Sequence, residues 1–459
     1  MLILALLAVT PAFARTWTDL QGRTLEADLV KTTATTVTLR REDGRMFDLA
    51  LAQLSAADRA FATGPSTGAS AATVPFADLN AMLGLDLLAD DNLWDDEPAA
   101  AARRLHLPLE GKNLHFESYR AYPKKPISVL GAPAYMLSLQ SSEGHITAVT
   151  LMFANRGDYP PFLGRDSHSF LSKAELKEFD QALKTDFDSL TVALTAKLGA
   201  PKRETVVGGL EPNRHVLRWE ADGHAFLVSH DAEQMVSLKI VPADRNGTSH
   251  LSDEQVRRML KERLTKRPGG DVIIDQVPMV SQGPKGYCVP ATFERYLRYV
   301  GIPADMYELA EGGGTGFGGT SFEAMAAGLD RYVRRQGRHL DKATFKFNIN
   351  SIARYLDEGR PIIWGLYSTK AFNELSSALT EARGQVADWP KWKKTVAASD
   401  TSQLGPDRES AHACLIIGYN RATNEIAFTD SWGPAFAERW VGIDAAQKVS
   451  QDQFWVISW

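Results

Sequence analysis

The run Gln276-Val277-Pro278-Met279-Val280-Ser281-Gln282-Gly283-Pro284-Lys285-Gly286-Tyr287-Cys288-Val289-Pro290-Ala291-Thr292 constrains the fold more than any other stretch of the chain. A strand here runs into a loop rich in glycine and proline. A helix follows, because Phe293, Tyr296, Leu297 and Val300 recur at helical spacing and Gly301 ends the pattern. Pro290 suits the first helical turn. Cys288 therefore falls at or just before a helix N-terminus, where unpaired N–H groups and the helix dipole favour a thiolate over a thiol. Gln282 lies six residues earlier. A side-chain amide there can donate to a developing oxyanion, beside the backbone N–H of Cys288. An inert buried thiol and an ordinary loop amide are the plainer readings of these two residues.

Cysteine is otherwise scarce: Cys288 and Cys414 are the only 2 among 459 residues. That excludes a disulfide scaffold, and it is too few for a cysteine zinc site or an iron–sulfur cluster. Cys414 lies in Ser410-Ala411-His412-Ala413-Cys414-Leu415-Ile416-Ile417-Gly418-Tyr419-Asn420, which reads as a buried strand opening with a histidine. A turn at Arg421–Asn424 and a paired strand then lead to Asp430-Ser431-Trp432-Gly433. Two strands joined by a short turn bring His412 and Asp430 to the same open end of a hairpin. Asp430 is then placed to accept a bond from His412, fix its tautomer and stabilise an imidazolium, while the other ring nitrogen faces Cys288. Trp432 is placed to cover that bond. A core histidine and a turn aspartate are the plainer readings. Cys414 sits two positions past His412, on the same strand face. It reads as a small buried hydrophobe, with a disulfide to Cys288 as the alternative.

The order of Gln282, then Cys288 at a helix start, then His412 on a strand, then Asp430-Ser431-Trp432-Gly433 resembles the papain-like cysteine peptidases. The Gln-x5-Cys loop and the aspartate in third place are most similar to the bacteriocin-processing, double-glycine leader peptidase group and its stand-alone relatives. The resemblance covers residues 271–459 and implies a papain-like cysteine peptidase domain there. It also implies Cys288 as nucleophile, His412 as base, Asp430 as orienter and Gln282 in the oxyanion hole, a peptide or protein substrate, and no cofactor or metal. Two departures stand out. Tyr287 occupies the place where the leader peptidases usually have Asp, and no ATP-binding exporter accompanies the domain, so double-glycine leaders are not implied as substrate. Two other readings remain open. One is a non-catalytic peptide-binding or scaffold protein on a degenerate peptidase fold. The other is a thiol acyltransferase or peptidoglycan amidase, because the acyl-enzyme is common to all of these.

The rest of the chain reads as an α+β protein in several parts. Residues 1–14 (MLILALLAVTPAFA) form an apolar run ending in the small-x-small pattern Ala12-Phe13-Ala14, as a signal peptide does, although no Lys or Arg precedes it. The run falls short of the roughly 20 residues that span a bilayer. A secreted or periplasmic mature chain is expected, with a buried N-terminal strand as the alternative. Residues 15–62 form a small all-β module with a turn at Asp43-Gly44 and a short helix from Ala56 to Phe61. Its run from Trp17-Thr18-Asp19 through Asp43-Gly44-Arg45 to Leu54-Ser55-Ala56-Ala57-Asp58 resembles the Sla-type homology domain, an SH3-like barrel. That implies a short-peptide ligand, with a spacer role as the alternative. Residues 63–75 read as a flexible linker.

Residues 76–245 read as an α+β domain of unknown role. It has a hairpin (135–140 and 145–153), a helix from Ser172 to Leu198 with a capping box, and three further strands. His224 and His230 lack a third partner for a metal, and Asp158 and Asp166 read as turn residues. This domain could inhibit, anchor or deliver substrate. Residues 246–270 read as a helical connector opening at Ser252 and running to about Lys266. The glycine-rich run Gly312–Ser321 lacks the Gly-Lys-Ser/Thr ending of a phosphate loop, leaving a cleft wall or a plain connection. The stretch between Tyr367 and His412 reads as a lid, a subsite wall or packing. A net charge of 51 − 56 = −5 excludes a generally basic nucleic-acid binder, and no later apolar run is long enough to span a membrane.

Overall fold

A computed structural model of the chain describes residues 15–20, 23–32, 35–40, 46–55, 58–59, 74–90, 92–113, 115–157, 159, 172–206, 214–231, 234–243, 252–284, 286–316 and 319–459. Residues 1–14, read as a signal peptide, the Asp43-Gly44 turn, Asp158, Asp166 and most of the linker lie outside the described residues. Two units pack separately, Met1–Ala72 and Thr73–Trp459.

In the first unit, β1 (Arg15–Thr18), β2 (Thr24–Thr32), β3 (Thr36–Arg40) and β4 (Met46–Ala50) pair antiparallel in that order. Trp17, Ala27, Val37 and Leu39 form the core, together with Leu51 and Leu54 after the last strand. The Trp17 indole donates to the Ala27 carbonyl at 2.8 Å. The Asp58 carboxylate accepts from the Thr18 N–H at 2.7 Å, fastening the end of the module to its first strand.

The second unit begins at the linker's end. Val74 is buried and its N–H donates to the Asp222 carboxylate, so Val74 and Pro75 are fixed rather than linker-like. Two helices, α1 (Phe76–Leu83) and α2 (Pro98–Arg104), lead to β5 (Leu109–Lys112) and β6 (Phe116–Ala121). A small hairpin of β7 (Ile127–Val129) and β8 (Ala132–Ala134) follows. Then come β9 (Met136–Ser142), β10 (His145–Asn155), α3 (Lys173–Leu198), β11 (Lys202–Val206), β12 (Arg214–Ala221), β13 (His224–Asp231) and β14 (Met235–Pro242). Eight of these strands form an antiparallel sheet, β11-β12-β13-β14-β10-β9-β6-β5. Glu143 and Gly144, both with positive φ, close the β9–β10 hairpin. Ser172 and Glu175 make the capping box of α3, which buries Phe179, Leu183, Leu190 and Leu194.

The connector helix is shorter than its sequence suggests. It ends at Glu262 (α4, Asp253–Glu262), and Leu264–Arg267 is a strand, β15. Gly269 and Gly270, both at φ +91°, turn the chain so that β15 pairs with β16 (Asp271–Ile274). Pairing with a sheet overrides the helical pattern here. Beyond it lie α5 (Cys288–Tyr299), α6 (Met306–Gly312), α7 (Phe322–Arg335), β17 (His339–Lys342), α8 (Ile349–Leu356), β18 (Ile362–Tyr367), α9 (Lys370–Arg383) and α10 (Trp389–Ala397). The chain closes with β19 (Ala411–Asn420), β20 (Glu425–Thr429), β21 (Arg439–Gly442), α11 (Ile443–Val449) and β22 (Ser450–Ser458). The sheet order is β15-β16-β19-β18-β22-β17, with β20 on β19 and β21 on β20. The stretch after Tyr367 is thus largely helical, and Phe372, Leu379, Trp392 and Val396 pack it into the core. Among the described residues no helix is long and apolar enough to cross a membrane.

The boundary read at 245–271 falls inside one packed unit. Every residue of α5 from Val289 to Tyr299 is buried. Val289, Phe293, Tyr296 and Leu297 join the core around β18 and β19, whereas Ala291 joins Met136 and Met152 of the first sheet, with Met306 and Tyr307. Arg120 on β6, itself buried, ion-pairs with Glu110 on β5 at 2.7 Å and lies 3.9 Å from Glu294 on α5. Removing one partner of a buried ion pair typically costs about 3–5 kcal/mol. Arg120→Met should therefore destabilise the second unit by about that much in denaturant unfolding. A loss below about 1 kcal/mol would show that this ion pair does not bind the two sheets together.

Candidate active site

Cys288 is the first residue of α5, with Tyr287 at the cap. The face carrying it also carries Thr292 and Arg295, four and seven residues on, as helical geometry requires. The Thr292 hydroxyl donates to the Ala413 carbonyl at 3.1 Å, one residue past His412. Arg295 donates from Nε to the Pro278 carbonyl at 2.8 Å and from Nη2 to Thr429 Oγ1 at 2.6 Å. One helix face is thereby pinned to the histidine strand, to the Gln282 loop and to the residue before Asp430.

His412 is the second residue of β19. Asn420 Oδ1 accepts from the N–H groups of Ala422 and Thr423, which folds the tight turn into β20. Thr429 then lies opposite Leu415, and Asp430 emerges at the open end beside His412. His412 Nε2 is 2.9 Å from Asp430 Oδ1. The remaining ring nitrogen is left for Cys288, whose thiol the imidazole influences directly. Trp432 stacks on the imidazole with ring centroids 4.6 Å apart. Cys288, His412 and Asp430 thus meet in one cluster, with His412 hydrogen-bonded to Asp430. Gln282 joins it through Ser431: the Gln282 N–H donates to the Ser431 carbonyl at 2.9 Å, and the Ser431 hydroxyl donates to Gln282 Oε1 at 2.7 Å. With Oε1 so occupied, the Gln282 NH2 is the end left to donate elsewhere.

Sequence reasoning missed the far end of this cluster. Arg439 Nη1 donates to Asp430 Oδ2 at 2.8 Å. Its Nη2 donates to Ser376 Oγ at 2.5 Å and to the Asn373 carbonyl at 3.0 Å, both on α9. Arg295 and Ser431 were missed as well. Ser431 stood within the quoted Asp-Ser-Trp-Gly run, but neither arginine has a local signature. The glycine-rich segment reaches this neighbourhood too: a Cβ on Gly319 would lie 3.8 Å from the Gly286 carbonyl. Ser321 caps α7 by accepting from the Ala324 N–H.

Charge follows the geometry. Burial pushes the Cys288 thiol up, but His412 outweighs it by hydrogen bond and charge. With help from the backbone at Ala413 and Val289, the net shift is below the ordinary thiol value. Burial pushes His412 down, and its bonds to Asp430 and Cys288 more than reverse this, to about 9. Asp430 is pushed up by burial and held below its usual value by His412 and Arg439. These shifts favour a thiolate–imidazolium pair backed by a carboxylate. Chemically this is a nucleophile with an adjacent proton donor. Cys414 contrasts with it: burial and then the Asp430 charge push its thiol well up. Both cysteines are free, so the disulfide alternative is not the arrangement found.

His224 is buried beside the Trp94 ring at 5.2 Å, and His230 stacks on Phe187 at 4.8 Å. Among the described residues no cluster of His, Cys, Asp or Glu is arranged to hold a metal ion.

Residues 274–457, which contain all four site residues, match the model of the Peptidase_C39 like family. This segment therefore has the sequence character of a C39-like cysteine peptidase. The peptidase domain of Streptococcus ComA, a bi-functional ABC transporter involved in a quorum sensing pathway, aligns at 13% identity with a TM-score of 0.26. The alignment covers 39% of this chain and 96% of that one. No curated protein matches the chain.

The two thiols should separate cleanly by reactivity. Iodoacetamide at pH 7 should alkylate Cys288 faster than an ordinary thiol of pKa roughly 8.5, because its thiol is held below the ordinary value. Acidification through the lowered thiol pKa should quench the reaction, and His412→Ala should remove the advantage. Cys414 should react only after unfolding. Equal labelling of both cysteines in the folded chain would contradict this assignment.

Proposed function

We propose that the chain is an exported cysteine peptidase whose catalytic domain is papain-like and spans residues 271–459. Cys288 Sγ attacks the carbonyl carbon of a peptide bond. The Gln282 NH2 and the Cys288 backbone N–H receive the negative charge that develops on the carbonyl oxygen. His412 delivers its proton to the leaving amine, and the acyl-enzyme forms as the C–N bond breaks. His412 then takes a proton from water, which attacks the thioester and releases the acid and the thiol. Asp430 holds the imidazole in one orientation and stabilises its cation, with Arg439 behind it. The substrate is a peptide or protein, and the scheme calls on no cofactor.

The observation that carries this reading is the meeting of Cys288 with His412, itself hydrogen-bonded to the buried Asp430, inside the segment that matches a C39-like peptidase model. For the first unit, the antiparallel meander closed around Trp17 supports an SH3-like barrel, with a short peptide as its ligand. For export, the support is the apolar run at residues 1–14 with its Ala12-Phe13-Ala14 ending.

A fluorogenic peptide library, with peptidoglycan fragments included, tests the main reading. Cys288→Ala should abolish hydrolysis. Gln282→Ala should lower kcat by about 10²–10³, the usual effect of losing one oxyanion donor, while leaving iodoacetamide labelling of Cys288 intact. Hydrolysis that persists in Cys288→Ala would sink the proposal.

A further inference from the structure

The loop that carries Gln282 has no regular secondary structure of its own between β16 and α5. Its shape is imposed from outside, and much of that comes from residues 76–245. Glu110 Oε1 on β5 accepts from the Ser281 N–H at 2.6 Å. The Tyr122 hydroxyl, just past β6, donates to the Ser281 carbonyl at 2.9 Å. The residue immediately before Gln282 is therefore held at both of its backbone polar groups. The loop and the first sheet also approach too closely for side chains. A Cβ on Gly111 would lie 2.6 Å from the Met279 carbonyl oxygen, and one on Gly283 would lie 2.8 Å from the Tyr122 ring.

The same sheet grips the chain on the other side of the loop. The buried Tyr287 hydroxyl donates to Asn155 Oδ1, at the end of β10, at 3.0 Å. Its ring fills the space beside Gly157, where a Cβ would fall 2.3 Å from the ring. Gly286, at φ +83°, would place a Cβ 2.9 Å from the Gly157 carbonyl oxygen. Tyr287 is the cap of α5 and the neighbour of Cys288. These contacts fall on Met279, Ser281, Gly283, Gly286 and Tyr287, and none of them on the side chains of Gln282, Cys288, His412 or Asp430. They grip the site from its flanks.

We propose that the α+β region at 76–245 is a structural part of the active site, with Glu110, Tyr122 and Asn155 as positioning residues. Glu110 and Tyr122 set where the Gln282 amide points, and Asn155 sets the start of α5 through Tyr287. The inference rests on the peptidase reading above and extends it to the region whose role the sequence left open.

The test uses full-length chains and the best-cleaved member of the fluorogenic peptide library. Tyr122→Phe and Tyr287→Phe each remove one oxygen and keep the ring, so both should fold. Each should lower kcat about 10-fold or more with KM unchanged, because a small misplacement of a positioned group is enough to do so. For Tyr122→Phe, iodoacetamide labelling of Cys288 should stay within about twofold, since alkylation needs the thiolate but no oxyanion donor. Glu110→Gln keeps an acceptor for the Ser281 N–H and should retain more kcat than Glu110→Ala. Unchanged kcat in both tyrosine variants, with an active parent chain, would overturn the inference and leave the peptidase reading standing. A parallel fall in kcat, labelling and thermal stability would reduce the contacts to ordinary packing and also overturn it. A parent chain no more active than its Cys288→Ala variant would remove the peptidase reading and the inference together.

Discussion

Asp430 is an ionised carboxylate with no solvent exposure, and the second unit is arranged around keeping it charged. A buried anion is tolerable only when paired and fully hydrogen-bonded. Asp430 has an imidazole on one oxygen and a guanidinium on the other. Each cation needs an anchor of its own. Arg439 takes its anchors from α9, through Ser376 and Asn373, and packs over the Phe428 and Trp432 rings. His412 takes its anchor from β19 and from Trp432. The stretch between Tyr367 and His412 is therefore more than cover: its first helix holds the far end of the charge chain.

The two cysteines show how much of this depends on partners rather than on burial. Both thiols lose solvent on folding, and desolvation alone drives a thiol pKa upward. At Cys414 burial and the nearby Asp430 charge outweigh the Arg439 and Arg295 cations, and its thiol stays well above the ordinary value. Cys288 sits at a helix start with His412 as partner, and the sign of its shift reverses. Cys414 is fully buried and Cys288 only partly, and at Cys288 the imidazole with the backbone at Ala413 and Val289 reverses the sign of the shift.

What the sequence revealed was local. Pro290 and the spacing of Phe293, Tyr296 and Leu297 were enough to place Cys288 at a helix start, and the turn at 421–424 was enough to bring His412 and Asp430 to one end of a hairpin. Arg439 and Arg295 were invisible. An arginine whose pairing is settled by tertiary contacts looks, in sequence, like any solvent-facing cation. The strand at 264–267 was misread as helix because its partner lies across a glycine turn, and the charged residues before it continue a helical pattern. The grip of residues 76–245 on the Gln282 loop was equally hidden. Glu110 and Tyr122 carry no local signature of their contacts, and Gly111 and Gly157 acquire meaning only when another backbone or ring is seen against them.

These gaps share one physical cause. A glycine- and proline-rich loop gains freedom to approach other backbone closely, and it loses the hydrogen bonds that would fix its shape. Whatever fixes it must come from elsewhere in the molecule. Here Arg295 holds Pro278, Glu110 and Tyr122 hold Ser281, Ser431 holds Gln282, and Asn155 holds Tyr287. Two of the five anchors lie in the same segment as the loop, and three lie in the preceding sheet. The buried Arg120 bridges that sheet to Glu294 on the Cys288 helix. Motion of one sheet relative to the other would therefore reach the loop before it reached the Cys288–His412 pair, because Thr292 on the Cys288 helix is fastened to Ala413 on the His412 strand. The placement of the Gln282 amide is thus the feature most exposed to the state of residues 76–245, and the meeting of Cys288 with His412 the least.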